Sequence, residues 1–314
     1  MNNFNQKAVL NCVSANFGYY PAQIDITTEH FSVSTLPTLI ESINAVTNNF
    51  GMLKDWIYPG AQEVITLGAG VSKMPYSARV FGMPKTHTLH LYGRHEKKDI
   101  EFVVWILSFF LGMRLTTSEA GFLDSTSTKP NKLVDFVLHK SGPQAAIQVA
   151  LNFIHSNKGD TISLKRIAAI VHALFIAQNP QNLSFERFQY LYMSLDGCFA
   201  SLWEAGDKRK PKHSMRIKWM CDKFNMPVPP WAGEQSLIAS LRNESFHEAI
   251  FFGQPLGFSS LLDSPDHPIP QNLTLQMEAL ICRLLIAILG VKDQAYITSP
   301  INSREMHALT IQLT

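Results

Sequence analysis

The sequence has 314 residues, 46% of them hydrophobic, and its formal net charge is only +2. A chain of this length suits two domains or one large one, and its apolar fraction is sufficient for a sizeable core. The near balance of charge excludes a global attraction to nucleic acid, so any basic surface must be local. The four cysteines are scattered without a CxxC pair, which is typical of reduced thiols in a cytosolic protein and not of a disulfide framework.

No secretion or membrane signal is visible in the sequence. Residues 1–7 are polar and lack the apolar run of a signal peptide. The longest apolar runs, residues 102–113 and 280–289, are shorter than the roughly 20 residues that a membrane helix needs. We therefore expect a cytoplasmic protein with no membrane partner, in which both runs are core helices.

Short β-branched segments and alternating patterns predict strands in the first hundred residues. The predicted strands cover residues 23–27, 31–34, 63–67, 78–81 and 86–92, with a helix over residues 36–50. In the last strand Leu89 and Leu91 share one face and His90 lies on the other. A buried helix is predicted over residues 101–115. These patterns predict a β-rich or α+β domain over residues 1–123.

A polar, turn-rich stretch follows and predicts a linker over residues 124–142. Helical periodicity dominates from Pro143 onward. Helices are predicted from Pro143, around residues 167–174, and over residues 184–205, 215–224, 233–250 and 274–289. A strand is predicted in the tail, at residues 295–298 or 308–313. The fold class is therefore α+β, with an all-α helical bundle over residues 143–314.

The most informative segment is the run Arg242-Asn243-Glu244-Ser245-Phe246-His247. Arginine suits phosphate recognition because its planar guanidinium is always charged. Histidine is the side chain that most easily exchanges a proton near neutral pH. If the substrate is RNA, His247 is the candidate general acid or base for attack by the 2′-hydroxyl. Arg242 would stabilise charge on the phosphate oxygens, and Asn243 could orient the imidazole or bind the phosphate.

The predicted helix separates these two side chains. Residues five apart lie about 140° apart around an α-helix, so Arg242 and His247 do not point the same way. Either the length of the arginine allows both to reach one phosphate, or a second copy of the motif supplies the missing partner. This geometry favours a composite site between two such helices. The alternative to a catalytic site is a surface arginine and a histidine that packs against the helices, with no role in chemistry.

The motif resembles the signature of the HEPN superfamily (higher eukaryotes and prokaryotes nucleotide-binding domains), in which arginine, a polar residue and a histidine follow in this order. The order of helices over residues 143–292 is also similar, and residues 188–196 and 280–285 resemble the ApeA-like HEPN domains of bacterial anti-phage and abortive-infection proteins. The resemblance implies a bundle with the motif at the start of a late helix. It also implies a homodimer that cleaves RNA without a metal or cofactor.

The same resemblance leaves a rival open, since some HEPN proteins no longer cleave and only bind RNA, a nucleotide or a protein partner. Glu248 departs from the pattern of many active members, in which a small or apolar residue follows the histidine. Exposure of His247 in a groove, with Arg242 in reach, would favour catalysis. A buried His247 would favour the rival. In either case the N-terminal domain is expected to sense a trigger or to restrain the bundle.

Other residues are weaker candidates. The basic loop before the motif could contact RNA phosphates, although such charge runs are usually solvated; its cations are Lys208, Arg209, Lys210 and Lys212. Asp196 and Glu204 could support the site. His87, His90 and His95 cluster like zinc ligands, but His87 and His90 face opposite sides of the strand and no cysteine or acid completes a set. We therefore expect no metal. The tryptophans are expected in the core.

Overall fold

The structure is a computed structural model that describes residues 11–139, 142–203, 210–232, 237–256, 272–302 and 306–311. The described residues form a mixture of helices and strands, which confirms the mixed class predicted from the sequence. The chain divides into two compact units, Met1–Pro130 and Asn131–Thr314. Within the described residues, no helix is long and apolar enough to cross a membrane.

The first unit contains most of the strands. Its helices are α1 (Leu39–Thr47) and α2 (Lys97–Leu111). Its strands are β1 (Cys12–Phe17), β2 (Ile26–Thr27), β3 (Phe31–Thr35), β4 (Met52–Leu53), β5 (Trp56–Ile57), β6 (Ala61–Thr66), β7 (Gly70–Ser77), β8 (Val80–Phe81), β9 (His87–Tyr92), β10 (Phe122–Leu123) and β11 (Thr126–Ser127). The sequence patterns missed β1, β4, β5, β7, β10 and β11. They also placed α2 too late, because its start depends on Asp99, which accepts a hydrogen bond from the Glu96 N–H at 2.9 Å.

An antiparallel sheet in the order β1-β9-β3-β2 is the framework of this unit. In β9, His87, Leu89 and Leu91 are buried while the residues between them are half-buried, as the alternation predicted. Helix α2 contacts β1 and contributes buried residues such as Ile100 to the core. Burial of these apolar faces provides the main stabilisation of the unit.

The stretch predicted as a linker is folded. Thr126 and Ser127 form β11, which is buried and pairs antiparallel with β5. Further on, β12 (Phe136–Leu138) pairs in parallel with β15 (His307–Leu309), far away in the sequence. The polar composition suggested an exposed connection, but ladder hydrogen bonds satisfy the backbone of both segments.

The second unit is mainly helical. Its helices are α3 (Gly142–Ser156), α4 (Thr161–Ala177), α5 (Ser184–Leu202), α6 (Arg216–Lys223), α7 (Leu237–Asn243), α8 (Leu273–Ile288) and α9 (Gln294–Ile297). Besides β12 and β15, it contains the short hairpin β13 (Ile250–Phe251) and β14 (Gln254–Pro255). The unit is therefore not all-α as predicted, because two-stranded pairings accompany the helices.

Helices α4, α5 and α8 form the centre of the second unit. The predicted stripe of α5 is buried at Phe188, Tyr192, Leu195 and Phe199. Gly197 allows α4 to approach α5 closely, since a Cβ at this position would lie 2.6 Å from Cγ1 of Ile170. This packing places the polar edge of α5 beside the elements that carry the motif.

A buried ionic network connects α8 to Asp135, just before β12, and to residues of and after α9. Arg283 is 1% exposed, and its Nη1 donates to Asp135 Oδ2 at 2.6 Å. The Tyr296 hydroxyl donates to the other Asp135 oxygen at 2.5 Å, and Ser299 accepts from the guanidinium. A charge that is almost fully buried requires such partners, so this network joins β12, α8 and α9.

Candidate functional site

The motif lies at the end of a short helix. Helix α7 ends at Asn243, and the next residues form a π-helical turn, Glu244–Glu248. Ala249 follows with a φ of 56°, and the chain then enters the hairpin β13–β14. The continuous helix predicted over residues 233–250 is thus interrupted, and its residues 233–236 lie outside the described residues. The motif occupies a helix C-terminus, whereas the HEPN resemblance implied a helix start.

The π-helical turn changes which side chains meet. In this turn the Ala249 N–H donates to the Glu244 carbonyl, five residues earlier, so each turn holds an additional residue. Residues five apart therefore come close to one another. Arg242 Nη1 and His247 Nε2 are 3.0 Å apart, within hydrogen-bond distance. The prediction that one helix sets these two side chains apart was wrong, because it assumed α-helical geometry throughout.

The hydrogen bond defines the state of the imidazole. A guanidinium has only donors, so His247 Nε2 must accept from Arg242 and cannot carry a proton in this arrangement. The remaining proton of a neutral ring then lies on Nδ1. Arg242 Nη1 also donates to Asn243 Oδ1 at 3.1 Å. Asn243 therefore binds the arginine side chain. One of its two predicted roles was to orient the imidazole, and this hydrogen bond goes to Arg242 instead.

The motif is open to solvent on its polar side. Asn243 and His247 are exposed and Arg242 is half-buried. Phe246 is 46% exposed, and the guanidinium carbon of Arg242 lies 5.3 Å from the centre of its ring. Ser245 points inward instead, is 4% exposed and donates to the Arg242 carbonyl at 3.2 Å. The buried serine anchors the turn, so the arginine and the histidine remain accessible.

Asp196, named above as a possible support of the site, lies beside the motif together with residues that the sequence did not single out. A 3₁₀ turn, His213–Met215, leads into α6 and contacts α7. His213 Nδ1 lies 3.5 Å from the Tyr192 hydroxyl on α5, a long hydrogen bond. Arg216 Nη1 donates to Asp196 Oδ1 at 2.8 Å. No local pattern marks Tyr192, His213 and Arg216 as site residues, because only the packing of α5 and α6 against α7 brings them together.

Burial and positive charge act on the pKa values of this group. Desolvation lowers the pKa of His213, the cation of Arg216 lowers it further, and Asp196 partly opposes the shift. Arg242 and Lys210 also lower this pKa, to a smaller extent than Arg216. Desolvation raises the pKa of Tyr192 to about 12, so its hydroxyl stays protonated near neutral pH. The site therefore combines excess positive charge with a neutral histidine and a hydroxyl donor.

The predicted basic loop is only partly described. Lys208 and Arg209 lie outside the described residues, as does Glu204. Lys210 and Lys212 are exposed, and the Lys210 ammonium lies 5.8 Å from the centre of the Phe199 ring. The described end of the loop thus lies over α5, and Lys210 and Arg216 both contact the ring of Phe199.

The other candidates occupy structural positions. His87 is fully buried, its Nδ1 lies 2.8 Å from Thr86 Oγ1, and it stacks on Phe17. Among the described residues there is no group of three or more histidine, cysteine or acidic side chains that could hold a metal ion. All four cysteines are free thiols, and only Cys12 is exposed.

Comparisons of the chain with models of protein families, with curated proteins and with solved structures found no match.

Proposed function

We propose that the chain is a metal-independent endoribonuclease of the HEPN type and that its second unit is a HEPN-like helical bundle. The observation that supports this function best is the 3.0 Å contact between Arg242 Nη1 and His247 Nε2. It joins a fixed positive charge to an exposed, unprotonated imidazole nitrogen. A phosphodiester bound by Arg242 would lie next to His247, which can act as a general base. Attack by a ribose 2′-hydroxyl requires this arrangement.

In the proposed reaction, the substrate phosphate binds the Arg242 guanidinium. The hydrogen bond from Arg242 to His247 Nε2 then breaks, and this nitrogen becomes free. This nitrogen then removes the proton of the 2′-hydroxyl, and the 2′-oxygen attacks the adjacent phosphorus. The bond from phosphorus to the 5′-oxygen breaks, the leaving oxygen receives a proton from water, and His247 afterwards returns its own proton to solvent. The products are a 2′,3′-cyclic phosphate and a 5′-hydroxyl. Arg242 stabilises the charge that develops on the phosphate oxygens, while Asn243 keeps the guanidinium in place.

The wider role rests on the resemblance to ApeA-like domains. By this analogy the protein acts in the cytoplasm as an anti-phage or abortive-infection effector, and its first unit senses a trigger or restrains the nuclease. The bundle would form a homodimer in which two motifs face one cleft. Because one copy already joins Arg242 to His247, a dimer would serve to enclose the RNA and is not needed to complete the pair.

The rival proposal is a HEPN protein that binds RNA, a nucleotide or a protein without cleaving it. Two features favour it: the motif lies at a helix end, and Glu248 is exposed beside His247. A carboxylate at this place repels a phosphate backbone, particularly at low ionic strength. The two proposals differ in one measurable respect, which is whether a phosphodiester bond breaks.

The test compares purified full-length protein with Arg242→Ala and His247→Ala on a mixed single-stranded RNA. His155→Ala is the matched control, because His155 is an exposed histidine on another helix of the same unit. We expect RNA ends with 2′,3′-cyclic phosphate from the wild type and the control, in the presence of EDTA. Removing the arginine should reduce the rate by about 10²–10³-fold, the usual effect of losing one stabiliser of developing charge.

Three results would contradict the nuclease proposal. Equal cleavage by all four proteins would show that a contaminant or another site is responsible. Cleavage of a strand with 2′-deoxyribose at the cut position would exclude attack by the 2′-hydroxyl. RNA binding without cleavage by the wild type, at any divalent ion concentration, would favour the non-catalytic rival.

A further inference from the structure

Helix α6 presents a mixed cationic and aromatic stripe next to the motif. Arg216, Trp219 and Lys223 occur at positions i, i+3 and i+7, which lie on one face of an α-helix. We call these three residues the α6 stripe. The adjoining side of the helix, with Ile217, Met220 and Cys221, is buried in the unit. The stripe is half-buried at Arg216 and Trp219 and exposed at Lys223, so it lies at the surface over about 10 Å of helix.

A small pocket connects this stripe to the motif helix. It is lined by Tyr192 and Asp196 on α5, His213 on the 3₁₀ turn, Arg216 on α6 and Ala239 on α7. Arg242 and Lys210 act electrostatically on His213, whereas Asp196 is the acid that opposes them. The Arg216 Nε is buried and has no hydrogen-bond partner within the described part of the chain. A buried donor without a partner is costly, but solvent does not reach this nitrogen, so the positive charges around the pocket, and not Nε, are what would attract an anion.

Cations pack on aromatic rings along the same side of the unit, where Phe199 is buried beneath them. Phe199, Trp203 and Trp219 form one cluster with ring centres 5.4–5.9 Å apart. Arg216 lies 4.7 Å from the centre of Phe199, and Lys223 lies 5.3 Å from that of Trp219. The two tryptophans are half-buried, so the expectation that the tryptophans belong to the core is incomplete here. Cations interleaved with ring faces are typical of surfaces that bind single-stranded nucleic acid.

We infer that the α6 stripe and His213 bind the single-stranded RNA that flanks the bond to be cleaved. This inference rests on the proposed function. One phosphate of the flanking strand would be held by His213 and Arg216 and a further phosphate by Lys223, and a nucleobase between them would stack against Trp219. Stacking does not depend on base identity, because every base has a π face. The site would therefore select unpaired strands and would discriminate little between sequences.

The test measures binding separately from cleavage. A fluorescent single-stranded oligodeoxyribonucleotide lacks the 2′-hydroxyl, so it reports affinity by anisotropy without being cut. The variants are His213→Gln, Trp219→Leu and Lys223→Gln in the full chain. Lys158→Gln is the matched control, since it removes an exposed positive charge elsewhere on the same unit. Lys223 is also exposed, so its substitution leaves the core intact.

We expect Trp219→Leu to weaken binding by about tenfold, the effect of losing one stacked base. Lys223→Gln should reduce the slope of log affinity against log salt by about 0.7, the value for one phosphate contact on a single strand. Lys158→Gln should change neither quantity. The inference would be overturned if Lys223→Gln kept the affinity and salt slope of the wild type and His213→Gln kept its affinity. This outcome decides the question even if Trp219→Leu unfolds.

The same proteins separate failure of this inference from failure of the proposed nuclease. If the nuclease proposal alone is wrong, the wild type binds the oligonucleotide without cleaving RNA, and the three variants bind it more weakly than the wild type. If the inference alone is wrong, the three variants bind and cleave like the wild type while His247→Ala does not cleave. Absence of oligonucleotide binding by the wild type would also overturn the inference.

Discussion

His87 makes the stability of the first unit depend on pH. The side chain is fully buried in β9, and burial lowers its pKa from 6.5 to about 4, against smaller opposing effects of the Ala22 backbone and of Asp25. Because the pKa is lower in the folded state than in the unfolded state, the unfolded chain binds the proton more readily between these values. Acidification through this window therefore favours unfolding.

The size of the effect follows from the two pKa values. Since one pKa unit corresponds to about 1.4 kcal/mol, His87 should reduce the free energy of unfolding by about 2 kcal/mol between pH 7 and pH 5. At pH 4 the loss reaches about 3 kcal/mol, and below this value the folded protein also binds the proton. The whole effect is comparable to a large point mutation.

The assay is hydrogen exchange of the β9 peptide, measured by mass spectrometry across a urea series at pH 7, 6 and 5. His87→Asn removes the titrating ring, and its amide replaces Nδ1 as the partner of the Thr86 hydroxyl. His90→Gln is the matched control, because His90 lies on the other face of the same strand. We expect the pH-dependent loss to shrink in His87→Asn and to persist in His90→Gln. An unchanged pH dependence in His87→Asn would refute the reasoning.

Two further predictions concern the second unit, and urea unfolding measures both. Arg283→Leu should cost about 3 kcal/mol, because it leaves Asp135 without its buried partner, and adding Asp135→Asn should recover part of this loss. Equal stability of the single and double variants would contradict the account. Gly197→Ala should cost about 1 kcal/mol, since overpacking against Ile170 exceeds the gain in helix propensity. Ile170→Ala removes the Cγ1 atom that the new Cβ would meet, so Gly197→Ala should cost less in that background than in the wild type. A stabilised Gly197→Ala protein would show that the helices separate freely.

The sequence predicted those elements whose pattern is local. Alternation in β9 and the helical stripe of α5 come from side chains that each element must bury, so periodicity identifies them. The end of α8 was also close to prediction, because Gly290, with a φ of 81°, stops the helix. By contrast β12 and β15 are short and pair across most of the second unit. Their pairing depends on tertiary contacts, and no local pattern indicates it.

The sequence by itself determined which residue types could carry phosphate chemistry, namely Arg242, Asn243 and His247, because charge and proton affinity belong to the side chains. Their arrangement was decided by the tertiary structure. A π-helical turn brings the arginine to the histidine, although an ideal α-helix would separate them. Packing of α5 and α6 then adds His213 and Arg216. Hydrogen bonds five residues apart and contacts between distant helices leave no periodic signal, so only the folded chain reveals them.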